Sequence, residues 1–350
     1  MTTEERVLAA LDHGESDRVP VWTMINSAAV YRHFAPRDFD FAALTGPADP
    51  FSPAFQQLYR AACHGLGIDV TFTNVNPFPR EAQPGQTHWR KRPLKTLDDL
   101  ARFTPAVPSY GELVGAYVAS FTEIQAALAP HTLYVCQGTA SIQYYNVTGL
   151  ELFCVAMYEA PGDVGRVLDA YSEAHRVQTR IYADHQLAPV YQVSCDIGGK
   201  SGVLFSPDYL RREVLPRLKR EIEPLKQAGI KVIVHSDGDI AEVLDDLVAI
   251  GVDGINPLEV SAGMDLAAVK KRYGRNLVLV GNVDAAHVLP FGCPADVEQD
   301  VRRCVRDAAA GGGYFLDTSA GEIMASVPVG NALAMFDAVR DVGRYPIRLS

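Results

Sequence analysis

His235, Asp237 and Asp239 follow directly on the apolar run Val232-Ile-Val234. A β-branched run of this kind reads as a strand buried on both faces. Polar groups just past its carboxyl end stand where open α/β sheets and α/β barrels keep their active sites. A histidine there can serve as an acid or base near neutral pH, or as a metal ligand. A His-x-Asp pair can chelate a hard or borderline ion such as Zn²⁺. The spacing alone is common, and a core histidine bonded to a backbone carbonyl gives the same pattern. Asp239 before Ile240 and Asp284 before Ala285 serve equally well as helix caps.

The same arrangement recurs along the chain. Trp22, Met24 and Asn26 end one candidate strand, and Asn74 and Asn76 a second. Cys136, Gln137 and Thr139 follow a third, and Cys195, Asp196 and Lys200 a fourth. Asn256 and Glu259, then Asn282 and Asp284, then Asp317, Ser319 and Glu322 complete the set. Glu259 closes Gly-Ile-Asn-Pro-Leu-Glu, where the proline excludes further regular pairing. Asp196-Ile-Gly-Gly-Lys200 is a turn whose glycines let the backbone approach a ligand or simply reverse the chain. Tyr144 and Tyr145 begin a helix after Gly138-Thr-Ala-Ser141 and could wall a small substrate or pack in the core.

The elements that carry these groups alternate regularly. Strands are expected at Asp17–Met24, Asp69–Thr73, Leu133–Gln137, Val190–Ser194, Val232–Val234, Gly254–Asn256, Leu277–Val280 and Tyr314–Leu316, with helical segments between them. That β-α rhythm predicts an α/β fold, a single (β/α)8 TIM barrel over residues 1–350. A helix at Thr3–His13 forms an amino-terminal extension. Asn74–Pro108, with a strand expected at His88–Arg92, forms an insertion after strand 2. Gly311-Gly-Gly313 precedes the last strand, the wrong order for a phosphate cradle, and reads as a helix stop at the opposite face.

Composition narrows the function. The net charge is −10 and no Lys/Arg cluster offers a phosphate stripe, which argues against nucleic acid and anionic membrane partners. No apolar run reaches the roughly 20 residues that span a bilayer, and the acidic amino terminus does not resemble a signal peptide. The cysteines at 63, 136, 154, 195, 293 and 304 are scattered and read as reduced thiols. The expectation is a cytoplasmic enzyme acting on a small molecule, with a homodimer left open.

With these residues in hand, the chain resembles the uroporphyrinogen decarboxylase superfamily from end to end. The stretches that carry the resemblance are Asp17-Arg-Val-Pro-Val-Trp22, Gly138-Thr139 through Pro161, Gly202 through Lys219, His235-Ser-Asp-Gly238, Gly251-Val-Asp-Gly-Ile-Asn-Pro-Leu-Glu259, Gly263-Met-Asp265, Gly281-Asn-Val-Asp284, and Tyr314–Ser319 with Pro328 and Asn331. The resemblance implies a (β/α)8 barrel with its cleft at the strand carboxyl ends, and either a decarboxylase or a corrinoid-dependent methyltransferase.

Departures separate these branches. The decarboxylase carries an Arg-Gln-Ala-Gly-Arg segment after strand 1, whereas this chain has Ile25-Asn-Ser-Ala-Ala-Val30. Without those arginines, a tetrapyrrole bearing eight carboxylates lacks its clamps. The thiol-directed methyltransferases show His-x-Cys after strand 5 and a second Cys after strand 8. Here Asp237 replaces the first Cys and Gly321 falls near the second. What the resemblance then implies is a substrate-side methyltransferase. It would take a methyl group from a small methoxylated or methylamine-like compound and hand it to a corrinoid on a partner protein. Breaking such a bond needs a proton donor or Lewis acid at the heteroatom. The residues expected to supply it are His235, Asp237, Glu259 and Asp196. Zn²⁺ would be held by His235 and Asp237 with Glu322 or Glu259. Trp22, Asn26, Asn74, Gln137, Tyr144, Asn282 and Asp317 are the expected substrate contacts. The rival reading is a cofactor-free decarboxylase or lyase acting on a small carboxylic acid, anchored by Lys200 or an arginine. A binding module with a dead site is a third.

Overall fold

A computed structural model describes residues 1–44, 52–72 and 93–348. Its strands are β1 (Met24–Ile25), β2 (Val70–Phe72), β3 (Leu133–Val135), β4 (Gln137–Thr139), β5 (Val190–Ser194), β6 (Gly198–Gly199), β7 (Gly202–Val203), β8 (Lys231–His235), β9 (Gly254–Asn256), β10 (Val278–Val280), β11 (Tyr314–Phe315) and β12 (Glu322–Ile323). Six of them form a parallel sheet in the order β11-β10-β9-β8-β5-β4. β3 and β4 are two parts of one strand interrupted at Cys136, whose carbonyl still accepts from Gln192 N. β3 pairs in parallel with β2.

Hydrogen bonds close the ring. Ahead of β1, Trp22 bridges Val70 and Val21 bridges Leu316, both in parallel. Thr23 N donates to Val70 O at 3.0 Å, and Trp22 N to Leu316 O at 3.0 Å. The neighbour order therefore returns to its start as a (β/α)8 barrel. β12 extends the last strand and pairs with β1. Val232, Ile233 and Val234 are fully buried, as strands covered by helices on one side and by the barrel interior on the other must be. Inside the ring, the Trp22 indole meets Phe315 edge-on and donates from Nε1 to Gln192 Oε1 at 3.1 Å.

The expected helices largely form, with instructive differences. The first runs Thr3–Leu11 rather than to His13, because Asp12 caps it. The segment expected as one helix over Pro207–Ala228 has a wide π turn at Leu210–Val214. The expected strand at His88–Arg92 lies outside the described residues. Gly311-Gly-Gly313 leads into β11 beside His13 and Gly14, at the amino end of the ring. Among the described residues, no helix is long and apolar enough to cross a membrane.

The segment Asp17-Arg18 has a structural task at that amino end. Asp69, only 1% exposed, accepts from Arg6 Nη1 at 2.8 Å, Arg18 Nη1 at 2.7 Å and Val21 N at 2.9 Å. Asp17 engages the other edge of Arg6 at 2.7 Å. Removing the central carboxylate strands the Val21 N–H and takes one carboxylate from each of two guanidinium groups, leaving Arg6 only the Asp17 carboxylate. Asp69→Ala is expected to cost about 3–5 kcal/mol in chemical denaturation. A loss below about 1 kcal/mol would show that the network is dispensable.

Candidate active site

Two loops build the centre of the site. The chain leaving β5 turns through the β6–β7 hairpin, and the chain leaving β8 runs through Ser236-Asp-Gly-Asp239. The Ser236 hydroxyl accepts from Ile197 N and Gly198 N at 3.1 and 3.2 Å, while Asp239 N donates to Gly199 O at 2.8 Å. Gly238 sits at φ +84, and a Cβ there would lie 2.3 Å from the Gly198 carbonyl carbon. Only glycine fits so close a backbone approach. The turn glycines thus serve contact between loops, and that contact draws Asp196 towards Asp237.

His235 ends β8 beneath these loops. Its Nε2 lies 3.7 Å from Asp196 Oδ1 and 3.8 Å from Asp237 Oδ1. One potential ligand atom from each of the three residues falls within 4.8 Å of the others. Asp196 is steadied by Gln143, whose Nε2 donates to Asp196 Oδ2 at 2.7 Å and to Ser194 Oγ at 2.8 Å. Glu259 accepts from Gly238 N at 2.6 Å and from the Ser261 hydroxyl, so it clamps the second loop. Behind the histidine, Nδ1 meets Asn256 Oδ1 at 2.6 Å, and Asn256 Nδ2 donates to Asp317 Oδ2 at 3.0 Å.

A sequence model of the uroporphyrinogen decarboxylase (URO-D) family matches residues 61–342. The chain belongs to the uroporphyrinogen decarboxylase family. Among solved structures it is similar to a methyltransferase from Methanosarcina mazei, with TM-score 0.72 and 18% identity over 97% of this chain and 99% of that one. It is also similar to a B12-independent methionine synthase from Shewanella sp. W3-18-1, with TM-score 0.53 and 12% identity over 93% and 98% of the two chains. At these identities the likeness is one of fold. No curated protein sequence gives a match.

On this family scaffold the expected site residues fall into three groups. His235, Asp237 and Asp196 converge at the centre. Glu259 stands one loop away, and Glu322 receives Asn26 Nδ2 at 3.2 and 3.3 Å where β1 meets β12. Gln137 lines a cleft of about 600 Å³ together with Gln143, Tyr144 and His175. The third group is buried, with Tyr144 of its members also edging that cleft. Trp22 is fully buried on Gln192, and Tyr144 is buried against Phe103, Phe153 and Tyr171. Asn282 is fully buried too, donating to Leu258 O and accepting from Arg303, a residue of the helix Pro294–Ala308. Asp317 is fully buried behind Asn256. Asn74 lies outside the described residues.

The metal-type cluster also differs in membership from the expected set. The third member, joining His235 and Asp237, is Asp196 rather than Glu322. Gly321, at φ +72, takes no ligand role either. A Cβ there would stand 3.1 Å from Asn256 Oδ1 and 3.2 Å from His235 Cε1, so its emptiness makes room for that pair. Sequence reasoning undervalued Asn256 and passed over Gln143. Asn256 carried a signal in ending an apolar strand just before Pro257, whereas Gln143 carried none.

Charge in this family member's site is strongly one-sided. Among the described residues, no Lys or Arg forms an ion pair with Asp196, Asp237 or Glu259. Burial alone would lower the pKa of His235, but the Asp196 and Asp237 carboxylates, then the Asn256 bond and Asp317, raise it above the usual imidazole value. Asp237 keeps 56% of its side chain exposed, yet desolvation in the crowded mouth pushes its carboxyl up to about 6. His235 pulls that value down, while Asp196, Glu259 and Glu322 add to the rise. Burial pushes Asp317 up to about 7 against the hydrogen bonds from Thr23, Thr318 and Asn256.

Proposed function

We propose that this protein is a methyltransferase that removes a methyl group from a small methoxylated or methylamine-like compound and delivers it to a corrinoid on a separate protein docked at the barrel mouth. The observation that carries this reading is the Asp196–His235–Asp237 cluster in a mouth rich in carboxylates. Such a site attracts positive charge and repels polyanions. Family membership and a fold shared with a methyltransferase support it.

The step demanded of the site is specific. The bond from methyl carbon to oxygen or nitrogen breaks, the bonding pair stays on the heteroatom, and the heteroatom must be neutralised as the methyl leaves. One imidazole nitrogen and two carboxylates fit a hard or borderline divalent cation better than a thiophilic one, so Asp196, His235 and Asp237 would hold it. When bound, such an ion supplies Lewis-acid polarisation of the leaving heteroatom. The chain's own residues do the rest. Gln143 fixes Asp196, and Glu259 fixes the loop that carries Asp237.

The test is methyl transfer itself. Purified protein is combined with a corrinoid carrier held in its reduced state and with a panel of methoxylated and methylated-amine compounds, and the cobalt absorption spectrum is followed. Methylation of the cobalt with at least one donor class is the expected result. Failure across the panel, with carbon dioxide released from small carboxylic acids instead, would replace this reading with a lyase. A separate prediction concerns uroporphyrinogen. With no arginine in residues 25–30 and an acidic mouth, its conversion to coproporphyrinogen is expected to stay at background, and turnover clearly above background would overturn that.

A further inference from the structure

The orientation of the Asn256 amide is fixed by its neighbours. Its Nδ2 faces Val280 O at 3.5 Å, a carbonyl that can only accept, and donates to Asp317 Oδ2 at 3.0 Å, which is an acceptor once that carboxyl is ionised. Asp317 is held in turn by Thr318 N, which donates to its Oδ1 at 2.7 Å. The amide oxygen of Asn256 is left pointing at His235 Nδ1, 2.6 Å away. An amide oxygen cannot donate, so Nδ1 must carry the proton. Asn256, Asp317 and Thr318 are all nearly or fully buried, which keeps water from offering an alternative partner. Gly321 protects the arrangement, since any side chain there would press on both the amide oxygen and the imidazole edge.

We propose that Asn256 and Asp317 are positioning residues that lock His235 in the Nδ1–H tautomer, so that Nε2 presents an electron pair between Asp196 and Asp237. With the other tautomer an N–H would point into the cluster and oppose a cation. The tautomer assignment stands on the hydrogen-bond geometry alone, and its consequence for a cation rests on the function proposed above. Metal-binding histidines depend on this kind of outer partner, and its loss typically costs 10–100-fold in metal affinity. The lock also gives a role to Asn256, which touches neither Asp196 nor Asp237 through any hydrogen bond of its side chain among the described residues.

The test reads the proton directly. Protein labelled with ¹⁵N-histidine is stripped with chelator, and long-range ¹H–¹⁵N spectra are recorded above the titration of His235, whose signals are assigned by their loss in His235→Ala. Wild type is expected to show a proton-bearing Nδ1 and an unprotonated Nε2. Asn256→Leu is expected to shift to the Nε2–H form or to an averaged mixture, with Mn²⁺ affinity by electron paramagnetic resonance lower by about 10–100-fold. Asn256→Asp keeps an acceptor for Nδ1, and Asp317→Asn keeps an oxygen for Asn256, so both are expected to retain the wild-type pattern. If Asn256→Leu does not fold, the wild-type and Asn256→Asp spectra carry the test. An Nε2–H form in wild type, or an unchanged pattern in folded Asn256→Leu, overturns the proposal. A tautomer that responds as stated in a protein that binds no Mn²⁺ supports the positioning role and defeats the Lewis-acid reading instead.

Discussion

Replacing His235 with alanine is expected to abolish divalent-cation binding and to lower methyl transfer by roughly 10²–10⁴-fold, the range that a positioned acid, base or charge contributes. The residue is the one member of the central cluster that no neighbour can replace. Asp196 and Asp237 each reach the same point from a different loop, but both are carboxylates, and without the imidazole they face each other as like charges. Asp196→Asn and Asp237→Asn are therefore expected to lose less than His235→Ala, because one carboxylate and the histidine remain. Glu259→Gln should behave differently again. Its oxygens hold Gly238 N and Ser261, and an amide can keep one of those bonds. The measurements are elemental analysis of protein purified without chelator and the rate of cobalt methylation. Full activity and full metal content in His235→Ala would remove this cluster from the chemistry.

How much of this was legible in the sequence depends on what each residue needed. Strand identity was written locally, since Val232–Val234 and Leu277–Val280 are apolar runs that only a doubly covered strand accommodates. Strand exits follow from this, so His235 and Asp237 after Val232–Val234, and Asp196 after Val190–Ser194, are candidates by position alone. Which way a side chain turns was not legible. Asn282 stands at a strand exit like Asn256, yet it is drawn outward by Arg303, a residue more than one element away. Trp22 likewise precedes β1, and its place inside the ring depends on Gln192 from the far side of the barrel. The choice of Asp196 over Glu322 as third member rests on two glycine-bearing loops pressing together at Gly198 and Gly238. Spacing along one chain does not encode such a contact. The Asp17-Arg18 segment, one of the stretches that carry the family resemblance, serves the buried Asp69 network at the other end of the barrel.

The electrostatics of the site also predict an unusual dependence of stability on pH in protein freed of metal. Asp317 has a folded value of about 7 against an ordinary 3.8, because burial penalises its charged form. Between those values the folded protein holds a proton that the unfolded chain has already released. Stability therefore falls as pH rises from about 4 to about 7 and levels off above, the reverse of a salt-bridged carboxylate. Asp237, raised to about 6, acts in the same direction over the lower part of that window. His235, also raised, adds stability that is lost as pH climbs through its folded value. Carboxylates with lowered values, such as Asp17 and Glu213, oppose this trend, so the whole-protein curve does not isolate the site. The difference between wild type and Asp317→Asn does. The amide loses one acceptor at a cost that is the same at every pH, whereas the ionisation penalty is removed only where Asp317 would be charged. The variant is expected to gain on wild type by roughly 2–4 kcal/mol between pH 4 and pH 8, at about 1.4 kcal/mol for each pKa unit. Parallel denaturant titrations across that range measure it, and a difference that stays flat would mean that Asp317 titrates normally. Adding Mn²⁺ sharpens the experiment. Protons and cation compete for His235 and Asp237, so the ion should stabilise the protein more at pH 8 than at pH 5. Asp317→Asn, which leaves the side chains of Asp196, His235 and Asp237 in place, should keep that added stabilisation while losing its own slope.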